Sequence, residues 1–249
     1  MPIIIEPGIR LGAGVTITPH KPEGTVDGSI QFNGTNYISV LAGQAGQITN
    51  MENNDFTWEC FVYPQTVDSY QTFFDTRTAT IGGDSTGFFF GTPGGSANPI
   101  VYSNSQLLAS SVSLNLNAWN HVALTRVSGT ISIWINGTNA GSQAGINAGL
   151  SQQRVFIGGS TNSALNFTGY IASARIVNGI AVYTGSFAPS NYCFNRSQDA
   201  GQNVSAISAP QTALLLRTIS GDSYLNDNSQ YSLIVNNTGG VESSTQTPF

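Results

Sequence analysis

Short stretches in which apolar and polar residues alternate recur along the chain, separated by clusters of Gly, Asn, Pro and Ser. Alternation with a period of two places every second side chain on the same face of a β-strand, whereas a helix needs apolar residues three or four positions apart. Helical spacing is almost absent from this sequence. The pattern therefore predicts an all-β fold made of antiparallel strands.

The clearest predicted strand covers residues 56–63, where Phe56, Trp58, Cys60 and Val62 form one apolar face and Pro64 ends the run. Two more strands, Asn120–Val127 and Thr130–Ile135, are joined through Ser128-Gly129, which indicates a two-residue hairpin turn. The isoleucines of the second of these strands are expected to point into the core.

Later segments are expected to complete the sheets. A strand is predicted over residues 169–177, with the following Asn178-Gly179 as a reversal. Residues 213–217 and 231–235 are the strong strand candidates near the end, and we expect them to return and close the sandwich. The core of that sandwich is placed at residues 28–190 and its return strands at 191–249.

The first 27 residues differ from the rest, because an isoleucine run and a Gly-spaced alternation are followed by Pro19, Pro22 and Gly24. We therefore divide the chain into an N-terminal extended arm, 1–27, and a sandwich, 28–249. The arm cannot bury its isoleucines alone, so it is predicted to serve anchoring or subunit exchange by pairing with another subunit or a neighbouring protein. The alternative is a strand that folds back onto its own sandwich.

Charge excludes several functions. Charged residues make up 8% of the chain, with Lys21 as the single lysine and seven scattered arginines, so no basic stripe is available for nucleic acid. No apolar stretch approaches the roughly 20 residues of a spanning helix, and the start lacks the pattern of a secretory signal. We expect neither nucleic-acid binding nor membrane insertion, and we expect synthesis in a host cytoplasm.

Catalytic motifs are also missing. Glycoside hydrolysis needs two carboxyl groups across the scissile bond, but Glu59 is the only acid on its strand and Asp55 lies at the strand start. His20 and His121 have no obvious partners for nucleophilic catalysis, and His121 is interpreted as a structural residue. The two cysteines lack metal or redox spacing; Cys60 is expected to be a buried, inert thiol. The sequence does not decide whether it pairs with Cys193.

A resemblance to a known family rests on the order and spacing of several segments. The strongest is W-x-H-V-A-x-x-R at 119–126 followed by I-x-I-W-I-N-G at 131–137. The others are at residues 28–40, 55–64, 72–77, 156–159 and 167–177. Together they resemble laminin G-like, concanavalin A-like lectin domains, and the motifs at 181–189 are similar to bacteriophage members of the cyanophage type. The resemblance implies a jelly-roll β-sandwich.

What this resemblance implies about function is broad, because such sandwiches bind sugars, proteins or calcium, cut polysaccharides, or build particles. We expect a non-enzymatic bacteriophage virion protein, a tail fibre or receptor-binding component first and a capsid decoration protein second. A carbohydrate-binding lectin or a glycoside hydrolase-like enzyme is the further alternative. The expected partners are other virion proteins through the arm, copies of the same chain, with a trimer favoured, and host surface glycans.

Candidate site residues follow from the chemistry of sugar binding, which uses polar groups for the hydroxyls and an aromatic ring for the apolar sugar face. Asp84, Tyr102 and Asn104 are the best candidates for it. Arg126 and Arg175 are expected to be held by carboxylates or carbonyls at a sheet edge. No cofactor is expected; calcium has weak support from Asp222 and Asp227 in an oxygen-rich stretch that lacks the spacing of a calcium loop.

Overall fold

The computed structural model describes residues 28–40, 54–77, 87–146, 154–160, 163–218 and 224–248. These residues form two antiparallel sheets, with two short 3-10 helices at Ser163–Leu165 and Ala209–Gln211. The predicted all-β sandwich is therefore confirmed. The predicted arm at residues 1–27 lies outside the described residues.

The first sheet has eight strands within the described residues. They are β1 (Ser29–Asn33), β3 (Phe56–Pro64), β8 (Asn120–Val127), β9 (Thr130–Ile135), β10 (Thr138–Gln143), β12 (Thr168–Asn178), β13 (Thr212–Leu216) and β15 (Glu242–Ser244). Their order is β10-β9-β8-β3-β12-β1-β15, and β13 pairs with β12 beside this path. The long strands β3 and β12 are direct neighbours, so their outward side chains lie at the centre of this sheet.

The second sheet has seven strands within the described residues. They are β2 (Tyr37–Val40), β4 (Gln71–Asp75), β5 (Phe89–Thr92), β6 (Ile100–Tyr102), β7 (Gln106–Ala109), β11 (Val155–Ile157) and β14 (Val235–Thr238). Their order is β14-β2-β11-β4-β5-β6-β7. β14 and β15 are therefore edge strands, one in each sheet.

The hydrophobic core lies between the sheets and is built from the alternation seen in the sequence. The predicted apolar face of β3 is buried in it, and so are Ile131, Ile133 and Ile135 of β9. Trp58 is fully buried at its centre, with the rings of Phe56 and Phe74 at 5.4 and 5.9 Å. Aromatic burial of this extent is a main source of stability for a sandwich.

The predicted hairpin between β8 and β9 is confirmed with the same residues at its turn. Ser128 and Gly129 both have positive φ angles, 46° and 81°, as a type I′ turn requires. Asn136 and Gly137 repeat the arrangement after β9, at 49° and 80°. Gly137 also lies against the chain at Phe187, where a Cβ atom would meet a carbonyl oxygen at 1.9 Å.

The strand predicted over residues 231–235 is wrong in its position, because β14 starts only at Val235. Ser232 has a φ angle of 47°, and a residue in this left-handed region interrupts the extended backbone of a strand. Leu233 is buried, whereas Ile234 is 56% exposed. The apolar residues that suggested a strand therefore lie mostly in an irregular turn that leads into β14.

The chain between β12 and β13 covers part of the outer face of the first sheet. Val182, Tyr183 and Ile207 pack on Ala123, Trp134 and Val177 of the sheet. A second apolar cluster joins Cys193 and Phe194 to Phe61, Ala172 and Leu215. This covering segment, residues 179–211, removes from solvent the polar side chains at the centre of the sheet.

Candidate functional site

The sugar-binding residues predicted from the sequence lie on the second sheet, at the end of β6. Tyr102 is the last residue of this strand, and its hydroxyl donates to the carbonyl oxygen of Asn104 at 3.2 Å. Tyr102 is half-buried and Asn104 is exposed. Asp84 lies outside the described residues. The structure therefore brings two of the three candidates together.

A buried arginine occupies the space next to Tyr102. The guanidinium carbon of Arg77 lies 5.1 Å from the ring centre of Phe89 and 5.7 Å from that of Tyr102. Asp75 holds Arg77 in place by accepting from its Nε at 3.0 Å and from its Nη2 at 2.8 Å. This planar pairing and the flanking rings fix the guanidinium in one position.

This arrangement limits what the predicted site can bind by itself. The cavity between Tyr70, Arg77, Phe89 and Tyr102 has a volume of only about 10 Å³, close to the minimum for a single water molecule. A sugar ring would have to lie outside it, on the exposed side of Tyr102 and beside Asn104. The assignment of Asp84, Tyr102 and Asn104 to sugar binding stays a prediction.

A buried carboxylate at the centre of the first sheet forms the most extensive polar cluster. Glu59 of β3 is fully buried under the covering segment. Its Oε1 accepts from Arg175 Nε at 2.8 Å and from Arg175 Nη2 at 2.5 Å. Its Oε2 is contacted by His121 Nε2 at 3.3 Å and accepts a short hydrogen bond from the Tyr183 hydroxyl. Both oxygens of Glu59 are therefore occupied.

The charge state of Glu59 follows from these partners. Burial raises the pKa of a carboxyl group, but the charge of Arg175 and the hydrogen bonds from His121 and Tyr183 outweigh it and lower the pKa of Glu59 from 4.5 to about 2. Burial and the neighbouring Glu59 charge raise the pKa of Tyr183 well above its ordinary value. Glu59 is thus ionised and Tyr183 neutral at physiological pH.

These contacts correct two sequence interpretations. Glu59 is alone among acids on its strand, but it is paired with Arg175 from the adjacent strand, and this ion pair gives His121 the partner that the sequence did not reveal. The structural role assigned to His121 is supported by this pairing. Arg175 is held by a carboxylate and by the carbonyl of Asn195, as expected, but in a central strand rather than at a sheet edge.

Arg126 is held by carbonyl groups, as expected, but its strand β8 is also an interior strand of the sheet. Its Nε donates to the carbonyl oxygen of Ile146 at 3.1 Å and its Nη1 donates to that of Asn54 at 2.9 Å. Both partners are backbone groups of loops that flank the β8–β9 hairpin. Arg126 therefore ties loops to the sheet and is not available for a ligand.

Asp227, one of the two residues considered for calcium, binds the backbone instead. Asp227 accepts from the backbone N–H groups of Leu215, Ser229 and Leu233 at 2.9 to 3.0 Å. Asp222 lies outside the described residues. Among the residues that the structure does describe, no three His, Cys, Asp or Glu side chains gather as a metal site would require. Asp227 therefore holds the backbone of the turn that precedes β14 in place.

Both cysteines are buried, and no disulfide joins them to each other, which answers the pairing question. Burial, reinforced by the charge of Glu59, raises the pKa of Cys60 well above its ordinary value. A thiol that stays protonated is a poor nucleophile. The prediction of a buried thiol at Cys60 is confirmed.

In the described part of the chain, no helix has the length and apolar character to cross a membrane.

Comparison with protein families gives one clear match. A family model for the concanavalin A-like lectin/glucanases superfamily, Laminin_G_3, matches residues 32–181. This range contains the last two residues of β1 and all of β2 to β12, including Glu59, His121 and Arg175. No curated protein matches the sequence closely enough to indicate a relative.

Several solved structures are similar in fold. A protein of Bacteroides ovatus ATCC 8483, provisionally named a carbohydrate binding protein, has a TM-score of 0.58 and 17% identity. The alignment covers 88% of this chain and 60% of that protein, so the chain spans less than two thirds of its length. A SAP-like pentraxin from Limulus polyphemus has a TM-score of 0.48 and 13% identity. That alignment covers 88% of this chain and 95% of the pentraxin. The enzymatically active domain of tailspike protein 2 of bacteriophage CBA120 has a TM-score of 0.42 and 12% sequence identity. That alignment covers 53% of this chain and 23% of the tailspike chain.

Proposed function

Because the chain belongs to the concanavalin A-like lectin/glucanases superfamily, we propose that it is a non-enzymatic carbohydrate-binding component of a bacteriophage particle that acts in attachment to the host. A tail fibre or receptor-binding protein is the preferred place for it. A capsid decoration protein is the second candidate.

The state of Glu59 is the observation that carries the non-enzymatic part of the proposal. Glycoside hydrolysis needs a protonated carboxyl group and a second carboxylate roughly 5 to 9 Å away, on either side of an accessible sugar. Glu59 has a pKa of about 2, is inaccessible, and has both oxygens engaged. Its ion-pair and hydrogen-bond partners are Arg175, His121 and Tyr183, and none of them is a second carboxylate. This carboxylate can neither donate a proton near neutral pH nor reach a substrate.

Support for a virion role comes from composition and packing. With 8% charged residues, the surface depends on neutral polar groups, and such groups suit hydroxyl-rich ligands and close contact with other proteins. The covering segment seals the centre of one sheet with two apolar clusters. A sealed sandwich of this kind suits a particle that must persist outside a cell. Trimer formation and anchoring through residues 1–27 belong to the same proposal.

Glycan binding is tested by exposing the purified protein to an array of bacterial surface polysaccharides and oligosaccharides. Binding to a defined subset is expected. Tyr102→Ala and Asn104→Ala, compared with an exposed control, Leu116→Ala, then test the site predicted from the sequence. An array without any bound glycan would overturn the adhesive role and leave capsid decoration as the candidate.

The virion role needs a separate measurement. Proteomics of purified particles, combined with antibody labelling in electron micrographs, is expected to detect the chain on tails. Labelling over heads would favour the decoration protein. Absence of the chain from purified particles would refute both.

A further inference from the structure

A second pocket lies on the outer face of the first sheet, where β3 and β8 meet residues 189–191 of the covering segment. Its volume is about 250 Å³, and the described residues lining it include Trp119, His121, Asn136, Ser190, Asn191 and Pro248. These residues come from four separate parts of the chain. None of them was assigned to sugar binding by the sequence.

Trp119 provides one wall with an aromatic face. It is half-buried, whereas the other two tryptophans, Trp58 and Trp134, are 0% and 4% exposed. The ring of Tyr63 supports it edge-on, with 5.6 Å between ring centres and 68° between planes. Aromatic pairs in this geometry are mutually stabilising, so the indole is held in place before a ligand arrives.

His121 contributes a polar atom that lacks a partner. The residue is 2% exposed, and its Nδ1 is a buried side-chain atom without a hydrogen-bond partner. Because Glu59 faces Nε2, that nitrogen is engaged, and Nδ1 is the ring nitrogen left without a partner. An unsatisfied buried polar atom is costly, and a hydroxyl group of a ligand, which can both donate and accept, would satisfy it.

The chemistry of the other lining residues narrows the class of ligand. The described residues that line the pocket carry amides, a hydroxyl and apolar groups, and none is Lys, Arg, Asp or Glu. Asn191 and Ser190 are exposed at the rim. This environment favours an uncharged, hydroxyl-rich ligand and disfavours a sugar that carries a carboxylate or sulfate.

The size of the pocket sets the length of the ligand. Sites for drug-sized molecules have volumes of roughly 300 to 1,000 Å³, so a pocket of about 250 Å³ accepts a single ring better than a chain. We propose that this pocket binds the terminal, uncharged pyranose residue of a glycan, with Trp119 against its apolar face and His121 Nδ1 and Asn191 at its hydroxyls. This inference rests on the proposed carbohydrate binding and names a site for it.

The test uses the intrinsic fluorescence of the full chain. Because Trp58 and Trp134 are buried, a sugar that stacks on Trp119 is expected to change the emission of that residue alone. Titration with neutral hexoses and with neutral oligosaccharides chosen from the glycan array should shift the spectrum. Sialylated and sulfated oligosaccharides of the same length should shift it far less. In Trp119→Phe, sugar binding should be largely kept and the fluorescence change lost.

Affinity measurements by calorimetry complete the test. Trp119→Ala should weaken binding by about tenfold or more, and Asn191→Ala, which removes an exposed amide, by roughly two- to tenfold. Trp119→Phe guards against misfolding as the cause of a loss. Ile234→Ala, which alters an exposed residue outside this pocket, should leave the affinity unchanged. Tyr102→Ala is measured alongside to report on the site predicted from the sequence.

The possible results separate the two proposals. Glycan binding that Tyr102→Ala abolishes and Trp119→Ala leaves intact would overturn this pocket as the site while the proposed function stands. Binding restricted to anionic glycans would overturn the assignment to an uncharged sugar. A protein that binds no glycan at all would overturn the proposed function and this inference together.

Discussion

The buried ion pair of Glu59 and Arg175 makes a quantitative prediction about acid stability. The pKa of Glu59 falls from 4.5 in the unfolded chain to about 2 in the folded protein. At about 1.4 kcal/mol per pH unit, this difference corresponds to about 3 kcal/mol of folding free energy. Because the folded pKa is the lower one, the contribution is present in full above about pH 4.5 and is lost as the pH falls towards 2.

Glu59→Gln isolates this contribution. At pH 7 the variant should be less stable by about 3 to 5 kcal/mol, because it leaves Arg175 as a buried charge without its partner. Between pH 4.5 and 2 the difference from the unaltered protein should shrink by about 3 kcal/mol. Urea denaturation at stepped pH, followed by far-ultraviolet circular dichroism, measures both free energies.

A matched control is Glu242→Gln, which alters an exposed carboxylate of the same sheet. Its stability should stay within about 0.5 kcal/mol of the unaltered protein across the whole pH range. A difference for Glu59→Gln that stays constant from pH 7 to pH 2 would refute the reasoning, since it would mean that Glu59 is not an ionised, paired group in the folded protein.

Three further predictions concern packing and reactivity. Trp58→Ala should cost about 3 to 5 kcal/mol in denaturant unfolding because it empties the centre of the core; a loss below about 1 kcal/mol would contradict the packing described. Gly158→Ala should lower the thermal midpoint, because Gly158 has a φ angle of 71° and a Cβ atom there would lie 2.1 Å from the Phe32 ring. The control for backbone strain alone is Gly95→Ala, since Gly95 has a φ angle of 78° but lies in open space. Equal losses in the two variants would argue against the close contact at Gly158. Cys60 and Cys193 should react with a thiol reagent only at the rate of unfolding, because both are buried; fast labelling of the native protein would contradict this.

Much of the fold could be predicted from local patterns. The alternation in β3 and β9 and the Ser128-Gly129 turn are properties of neighbouring residues, so they survive in the structure with the same residues and faces. The strand expected over residues 231–235 failed because Ser232 adopts a left-handed conformation, and no local pattern marks this residue as different from other serines.

The candidate site was harder to predict because its residues meet only after folding. Glu59 and Arg175 are 116 residues apart in the chain, and the sequence gives no sign that strands β3 and β12 are neighbours. The pocket beside Trp119 depends in addition on the path of the covering segment, and an irregular segment has no periodicity from which to infer this path. The sequence shows Trp119 as part of a family motif, but it does not show that the side chain is partly exposed.

The central claim, that this domain binds glycans without cleaving them, is tested most directly by native mass spectrometry of the protein incubated with an oligosaccharide that the array identifies. The account predicts a complex whose mass is that of the protein plus the intact oligosaccharide, unchanged on prolonged incubation. Shorter sugar fragments in solution, or no complex at any sugar concentration, would contradict it.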